Sequence, residues 1–266
     1  MCKVLEMNRS TYYKILNHKP SARELENQEL DQEILIIYYE SKRLYGAPKI
    51  HETLIRKGFS VSLKRVQRRM TSLGIRSIVI KKYRHYSKSD IADGRENLLD
   101  QDFNTTAINQ KWCTDITYIH TIKDGWTYLA SVMDLHSKKI IGWAYDITIT
   151  AELAKKAVEN ACLNVSEPKG IILHSDLGTQ YTSDLFEEYM AKQKIKHSFS
   201  KKGCPYDNAC IESFHSILKK EEVHRKTYID LKDAYQNLFE YIESWYNRKR
   251  IHSSIDYLTP SEMHAA

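Results

Sequence analysis

Three carboxylates stand apart from the other acidic residues of this 266-residue chain by their surroundings. Asp115 lies in Lys-Trp-Cys-Thr-Asp-Ile-Thr-Tyr, Asp176 in Leu-His-Ser-Asp-Leu-Gly-Thr-Gln-Tyr, and Glu212 in Asn-Ala-Cys-Ile-Glu-Ser-Phe-His. A trio of hard oxygen donors can hold two divalent cations and run phosphoryl transfer on nucleic acid. All-oxygen ligands favour Mg²⁺ or Mn²⁺ over zinc. Spacing selects little: 35 residues separate Asp176 from Glu212, and chance supplies roughly four acidic pairs at that separation. The settings select more, because each is apolar or Gly-rich and an unpaired carboxylate near a core is costly. A bound cation removes that cost. Taken singly, Asp115 also reads as a buried network residue, Asp176 as a turn cap before Gly178, and Glu212 as a helix surface charge.

The elements that must position these acids follow from patterning. Residues 112–120 are rich in Trp, Ile, Thr and Tyr and predict a strand; Lys-Asp-Gly supplies a hairpin turn, and residues 126–135 and 139–145 read as two further strands. Thr150 is placed to cap a helix running to about residue 164, and the wholly apolar run 170–173 suits a strand buried on both faces. A helix over 183–192, a strand over 196–200 and a helix from Asn208 complete the order. Three antiparallel strands followed by alternating helix and strand give an α/β fold with a mixed sheet flanked by helices. Asp115 then lies mid-strand, Asp176 just past the end of a neighbouring strand, where ligand sites of open α/β sheets lie, and Glu212 on a helix. That helix presents Glu212, Ser216 and Lys219 on one side, and Asn208 is placed to cap it.

The front of the chain has a different chemistry. Residues 1–90 hold 19 Lys+Arg against 9 Asp+Glu, and residues 91–266 hold 21 against 25. Between Thr53 and Ser89 there are 11 basic residues and no acidic one, a pattern suited to neutralising phosphates. Helical spacing runs from Glu24 to Glu40, a second helix starts with Pro48 in its first turn and stops at Gly58, and a third is capped by Ser62 and ended by Gly74. The third carries an apolar stripe of Leu63, Val66, Met70 and Leu73 and a basic face of Lys64, Arg65, Arg68 and Arg69. Two helices joined by a short turn, the second basic, suit a helix-turn-helix that binds DNA. The first twenty residues read as a partial helix-turn-helix or helical lead-in. Residues 81–95 are polar and aperiodic and read as linking the two domains.

Composition narrows the class further. The absence of an apolar run of about 18 residues and of a charged-then-apolar leader leads to the expectation of neither a membrane span nor a secretory signal. The five cysteines are odd in number, scattered and without a Cys-x-x-Cys pair, so reduced thiols in a cytosolic protein are expected rather than disulfides or a zinc cluster.

The motifs Trp112-Cys-Thr-Asp115-Ile-Thr-Tyr118, His174-Ser-Asp176-x-Gly178-x-Gln180-Tyr181 and Gly203-x-Pro205-x-Asp207-Asn208-Ala209-x-x-Glu212 resemble those of DDE transposases of bacterial insertion sequences. The resemblance is to the OrfB-type product of two-frame elements, whose core is similar to retroviral integrase. It extends to Tyr45-Gly46-Ala47-Pro48 and to the tail Trp245-Tyr246-Asn247-x-x-Arg250-x-His252-Ser253 with Pro260. It implies a ribonuclease-H-like five-stranded sheet over residues 106–225, preceded by a helix-turn-helix over 21–80 and a linker over 81–105, and followed by a C-terminal helix and basic tail over 226–266. It implies that Asp115 bridges two Mg²⁺ (or Mn²⁺) ions while Asp176 and Glu212 hold one each. Water then nicks the 3′ end of the element, and the freed 3′-OH attacks another phosphodiester. Lys219 fits the family's basic residue on the catalytic helix and is expected near the scissile phosphate. His174, Gln180 and Asn208 are supporting residues, Tyr181 positions DNA or packs structurally, and Arg250 in the tail is a candidate DNA contact. The partners implied are terminal inverted repeats, target DNA, further copies of the chain, and an upstream-frame partner or fusion, in a bacterial cytoplasm at the nucleoid. Cys204 and His215 depart from the family's usual residues, and neither is expected to touch the three carboxylates. Two other classes fit part of the pattern: a non-catalytic DNA-binding regulator of the element, and a simple ribonuclease-H-like nuclease that cuts without joining.

Overall fold

Helix starts are written in side chains. Ser21 accepts from the Glu24 N–H while the Glu24 carboxylate accepts from the Ser21 N–H at 2.7 Å, a reciprocal capping box. The computed structural model describes residues 7–79, 96–163, 165, 167–200 and 205–266; the linker stretch 81–95 and Cys204 lie outside the described residues. The chain divides into two compact units, Met1–Ile78 and Val79–Ala266.

The regular elements among the first unit's described residues are all helices: α1 (Arg9–Leu16), α2 (Ala22–Glu40), α3 (Ala47–Arg56) and α4 (Leu63–Ser72). Pro48 stands in the first turn of α3, and the Ser62 hydroxyl accepts from the Arg65 N–H to start α4. Leu30, Ile34 and Ile37 of α2 meet Ile50 and Leu54 of α3 and Val66 and Met70 of α4 in the core. The lead-in helix α1 buries no residue.

The second unit is built on a five-stranded sheet in the order β3-β2-β1-β4-β5. Strands β1 (Lys111–Thr121), β2 (Gly125–Asp134) and β3 (Ile140–Asp146) form an antiparallel meander, while β4 (Ile172–Ser175) and β5 (Lys196–Phe199) add in parallel beyond β1. Helix α5 (Ala151–Cys162), capped by the Thr150 hydroxyl, and α6 (Asp184–Gln193), capped by Ser183, cover one face. Trp112, Val132, Ala157, Leu173, Phe186 and Met190 meet there in the core. Gly142 on β3 permits the close approach of α5, because a Cβ would run into the Ala157 carbonyl and the backbone of Ala161. Helix α7 (Ala209–Glu221) lies on the other face against β1 and β2.

The structure differs from the sequence expectation in three places. The apolar run 170–173 starts two residues before its strand: Gly170 turns with φ 86° and bonds to the Lys194 carbonyl, and β4 continues into buried His174 and Ser175. Those polar residues are tolerated because β5 satisfies them. Residues 96–105 are not linker; Leu99 is buried, its N–H donates to Ser198 Oγ at 3.1 Å, and the Glu96 carbonyl accepts from the Phe199 N–H. The C-terminal stretch is no appended tail. Helix α8 (Leu231–Phe239) runs on as a π-helical segment, Glu240–Tyr246, that buries Tyr241, Ile242, Trp245 and Tyr246. Asn247 then bonds both the N–H and the carbonyl of Ile140 at 3.0 and 2.9 Å, occupying backbone groups of edge strand β3. Helix α9 (Pro260–Ala265) closes the chain.

Candidate active site

The sheet register sets the site. Asp115 sits in the middle of β1 opposite Ser131 of β2, at a position whose side chain faces α7. Its Oδ1 accepts from the Ile116 N–H at 2.8 Å, and its Oδ2 lies 3.3 Å from Nδ1 of His215, a buried residue of α7. His215 Nε2 lies 3.4 Å from Ser131 Oγ. An ionised carboxylate only accepts, so the tautomer satisfying both contacts donates from Nδ1 to Asp115 and accepts at Nε2 from Ser131. This corrects the expectation that His215 leaves the carboxylates untouched. No local pattern marks this contact, because it forms only when α7 packs on β1.

Asp176 follows β4 directly, and its Oδ1 accepts from the Gly178 N–H at 3.0 Å. A Cβ on Gly178 would stand 2.9 Å from both Asp176 Oδ1 and Gln180 Oε1, so any larger residue there would make those side-chain ends shift. Desolvation pushes the Asp176 carboxyl above its ordinary range, the Gly178 hydrogen bond opposes this, and the charge of Asp115 adds to it. Glu212 lies on the outward face of α7, opposite buried Ile211, Phe214 and Leu218. Its carboxyl is likewise raised, first by desolvation and then by Asp115, with His215 opposing and Asp176 adding. The three carboxylates therefore feel one another's charge although they arise on a strand, a turn and a helix. Among the described residues, no three His, Cys, Asp or Glu side chains close into a metal-holding group. The donor chemistry nonetheless fits a hard divalent cation, since the coupled groups are all carboxylates.

The supporting residues divide. His174 is wholly buried, with Nδ1 2.9 Å from Ser198 Oγ and Nε2 2.9 Å from Ser200 Oγ, so it stitches β4 to β5. Burial holds its pKa down to about 4, leaving it neutral at physiological pH. Ser175 donates to the Asp176 carbonyl at 2.8 Å and lies 2.9 Å from His197 Nε2, whose Nδ1 is 2.8 Å from Glu187. Sequence reading missed this chain, which converges on the backbone of Asp176 from α6 and β5. Asn208 precedes α7 without capping it: its Nδ2 donates to the Thr114 carbonyl at 3.0 Å, tying the helix start to β1 beside Asp115. Tyr181 is a core residue, its hydroxyl 3.1 Å from Thr114 Oγ1, while Gln180 stays at the turn, half-buried. Lys219 places Nζ 4.0 Å from the ring centre of Tyr118; desolvation holds its pKa below the ordinary range and Asp115 opposes that.

Among the expected DNA contacts, Lys64 and Arg68 are exposed on α4. Arg65 and Arg69 turn toward α2: Arg65 bonds Asn27 and Glu26, and Arg69 pairs in a fork with Asp31, its Nε donating at 2.7 Å. Hydrogen bonding to Asp31 raises the Arg69 pKa. Arg250 is buried, its Nε and Nη2 donating to Glu221 at 2.9–3.1 Å. Burial opposes its charge, but Glu221 outweighs that and holds the guanidinium above its ordinary range. Its expected place as a DNA contact in an exposed tail gives way to a buried ion pair.

A mixed sheet in this strand order, with acids mid-way along β1, just past β4 and on α7, defines a ribonuclease-H-like integrase core behind a helix-turn-helix unit. Integrase core domain models match residues 105–205 and 193–260, and an HTH-like domain model matches 24–83. The transposase for insertion sequence element IS904 of Lactococcus lactis is 36% identical over 248 residues, covering 93% of this chain and 98% of that protein. Transposase InsF for insertion sequence IS3A of Escherichia coli is 37% identical over 265 residues, covering 98% and 92%. The chain belongs to the IS3/OrfB family of bacterial insertion-sequence transposases. That membership supports a DDE-type polynucleotidyl transferase activity. Among solved structures, the magnesium complex of the HTLV-2 integrase catalytic core domain is similar at 18% identity and a TM-score of 0.46, over 60% of this chain and 99% of that one, a likeness too distant to bear on chemistry. No helix among the described residues is long and apolar enough to cross a membrane.

Proposed function

We propose that the chain cleaves the 3′ ends of its insertion element and joins them to target DNA, with Asp115, Asp176 and Glu212 as the catalytic carboxylates. The observation that carries this is electrostatic: acids from three separate elements share one field, and both Asp176 and Glu212 are raised in part by Asp115. Asp176 and Glu212 are also exposed, so both carboxylates are open to a ligand. In this reading the three side chains hold Mg²⁺ or Mn²⁺, two ions per site, which when bound supply Lewis-acid activation of the attacking and leaving oxygens. The chain's own contribution is positioning. His215 fixes one oxygen of Asp115, the Gly178 N–H fixes one oxygen of Asp176, and the outward face of α7 presents Glu212 with Lys219 two turns beyond it. Lys219 supplies a cation to a phosphate beside the reacting one. The helix-turn-helix unit holds the terminal repeats through Lys64 and Arg68, and the protein works with the bacterial chromosome. Joining two ends requires further copies on DNA, and an upstream-frame partner or fusion completes the recombinase.

Replacement of Glu212 by Gln keeps the size of the side chain and removes its charge. The variant should lose 3′-end cleavage and strand transfer on end-sequence duplexes with Mg²⁺ or Mn²⁺, while its DNA affinity stays close to that of the wild type. Cleavage retained by Glu212→Gln would overturn the assignment. Cleavage without joining in the wild type, with and without the upstream-frame partner, would reduce the activity to that of a nuclease.

A further inference from the structure

The sheet face that packs against α5 and α6 is covered only as far as Ile116 on β1 and Tyr128 on β2. Beyond them the same face continues with Tyr118 and His120 on β1 and Trp126 on β2, and all three are exposed. Tyr118 is 56% and Trp126 55% accessible, whereas Trp112, Trp143 and Trp245 are buried. The three rings touch edge to face: Tyr118 and Trp126 have centroids 5.2 Å apart, His120 and Trp126 5.1 Å. Cross-strand aromatic pairing steadies a hairpin, but steadying the hairpin does not call for a cation from another element. Lys219 of α7 reaches the Tyr118 ring, with Nζ 4.0 Å from its centre. The platform thus combines open π-surface with one positive charge; its Tyr118 lies three residues along β1 from Asp115, on the opposite face of the sheet.

We propose that Tyr118 and Trp126 form a stacking site for an unpaired nucleobase at a DNA end, with Lys219 placed to take the adjoining phosphate. Flat π-faces accept any base, and an adjacent cation suits the alternation of base and phosphate along a single strand. A peptide occupant would match the rings but not the isolated lysine. The inference rests on the reading of the chain as a DNA-end-processing enzyme, and it adds that the end is frayed against the β1–β2 hairpin when it is held.

The test uses the full chain in EDTA, so that it does not depend on cleavage. Two hairpin duplexes of one sequence are compared, one blunt and one ending in unpaired nucleotides, and acrylamide quenching of tryptophan emission reports Trp126, the exposed tryptophan. The frayed duplex should lower the quenching constant toward that of buried tryptophans. Trp126→Ala should weaken binding of the frayed duplex about tenfold with little effect on the blunt one, and Trp126→Phe should recover most of the loss. Equal weakening on both duplexes, or quenching unchanged by the frayed duplex, would overturn the proposal. Shielding that appears without DNA as protein concentration rises would assign the face to a second copy instead. A Glu212→Gln variant that still cleaved would sink the proposed chemistry and leave this binding measurement standing.

Discussion

Asp115 is the most heavily supported of the three acids, with a backbone donor on one oxygen and His215 on the other. Asp176 and Glu212 carry the strain of the cluster, since both are raised by desolvation and by their acidic neighbours. The sign matters for stability. An acid whose pKa is raised on folding favours the fold while protonated, and that contribution is lost as pH rises from its ordinary range through the raised value. At neutral pH the charged forms therefore work against the metal-free fold. Asp176→Asn and Glu212→Gln should each raise the melting temperature in EDTA at pH 7 by about 2 °C, the scale expected of a solvent-screened charge interaction, and the gain should vanish near pH 4. Mg²⁺ should stabilise the wild type more than either variant. Destabilisation by both substitutions would show that the carboxylates are ordinary structural groups. At this scale the sequence singled out the three acids, because their apolar and Gly-rich settings are local. It hid His215 and the Glu187–His197–Ser175 chain, whose partners are brought together by packing of α7, α6 and β5.

Elements were legible where local chemistry decides them. Ser62 and Thr150 cap the helices their side chains suggest, and the antiparallel meander follows from alternation around Lys-Asp-Gly. What patterning misjudged was polarity in context. The basic tail and the basic face of α4 both read as exposed charge, yet Arg250 pairs with Glu221 in the interior, while Arg65 and Arg69 tie α4 to α2. Glu221 is the junction at the end of α7, accepting also from the Tyr241 hydroxyl at 2.9 Å and from Trp245 Nε1 at 3.4 Å. Removing one member of such a buried pair leaves the other charge uncompensated, at a cost of about 3–5 kcal/mol. Arg250→Met should therefore lower the melting temperature by about 10 °C, with DNA affinity per folded molecule unchanged. The double variant Glu221→Gln/Arg250→Met should recover part of the loss. A selective loss of DNA binding with an unchanged melting temperature would restore Arg250 to the DNA surface.

Over the whole molecule the charge is divided by function. The basic excess lies in the first ninety residues and the acidic excess in the remainder, so the proposed site gathers carboxylates in the half that repels a phosphate backbone, and affinity must come from elsewhere. On the proposed function the DNA end must come close to those carboxylates, so the proposal places the holding force on the helix-turn-helix unit and the alignment of the end on the second unit. Counterion release measures how many cations share that work, because each phosphate contact adds about 0.9 to the slope of log K against log salt. Lys64 and Arg68 are open on α4, whereas Arg65 and Arg69 are held by α2. Lys64→Ala and Arg68→Ala should each reduce the slope by about 0.9 in titrations of the full chain with end-sequence duplex. Arg65→Ala and Arg69→Ala should change it less and should instead lower the stability of the helical unit. Equal slope losses from all four would mean that the α2 ion pairs open when DNA binds, and no loss from Lys64 or Arg68 would move the DNA-holding surface off α4.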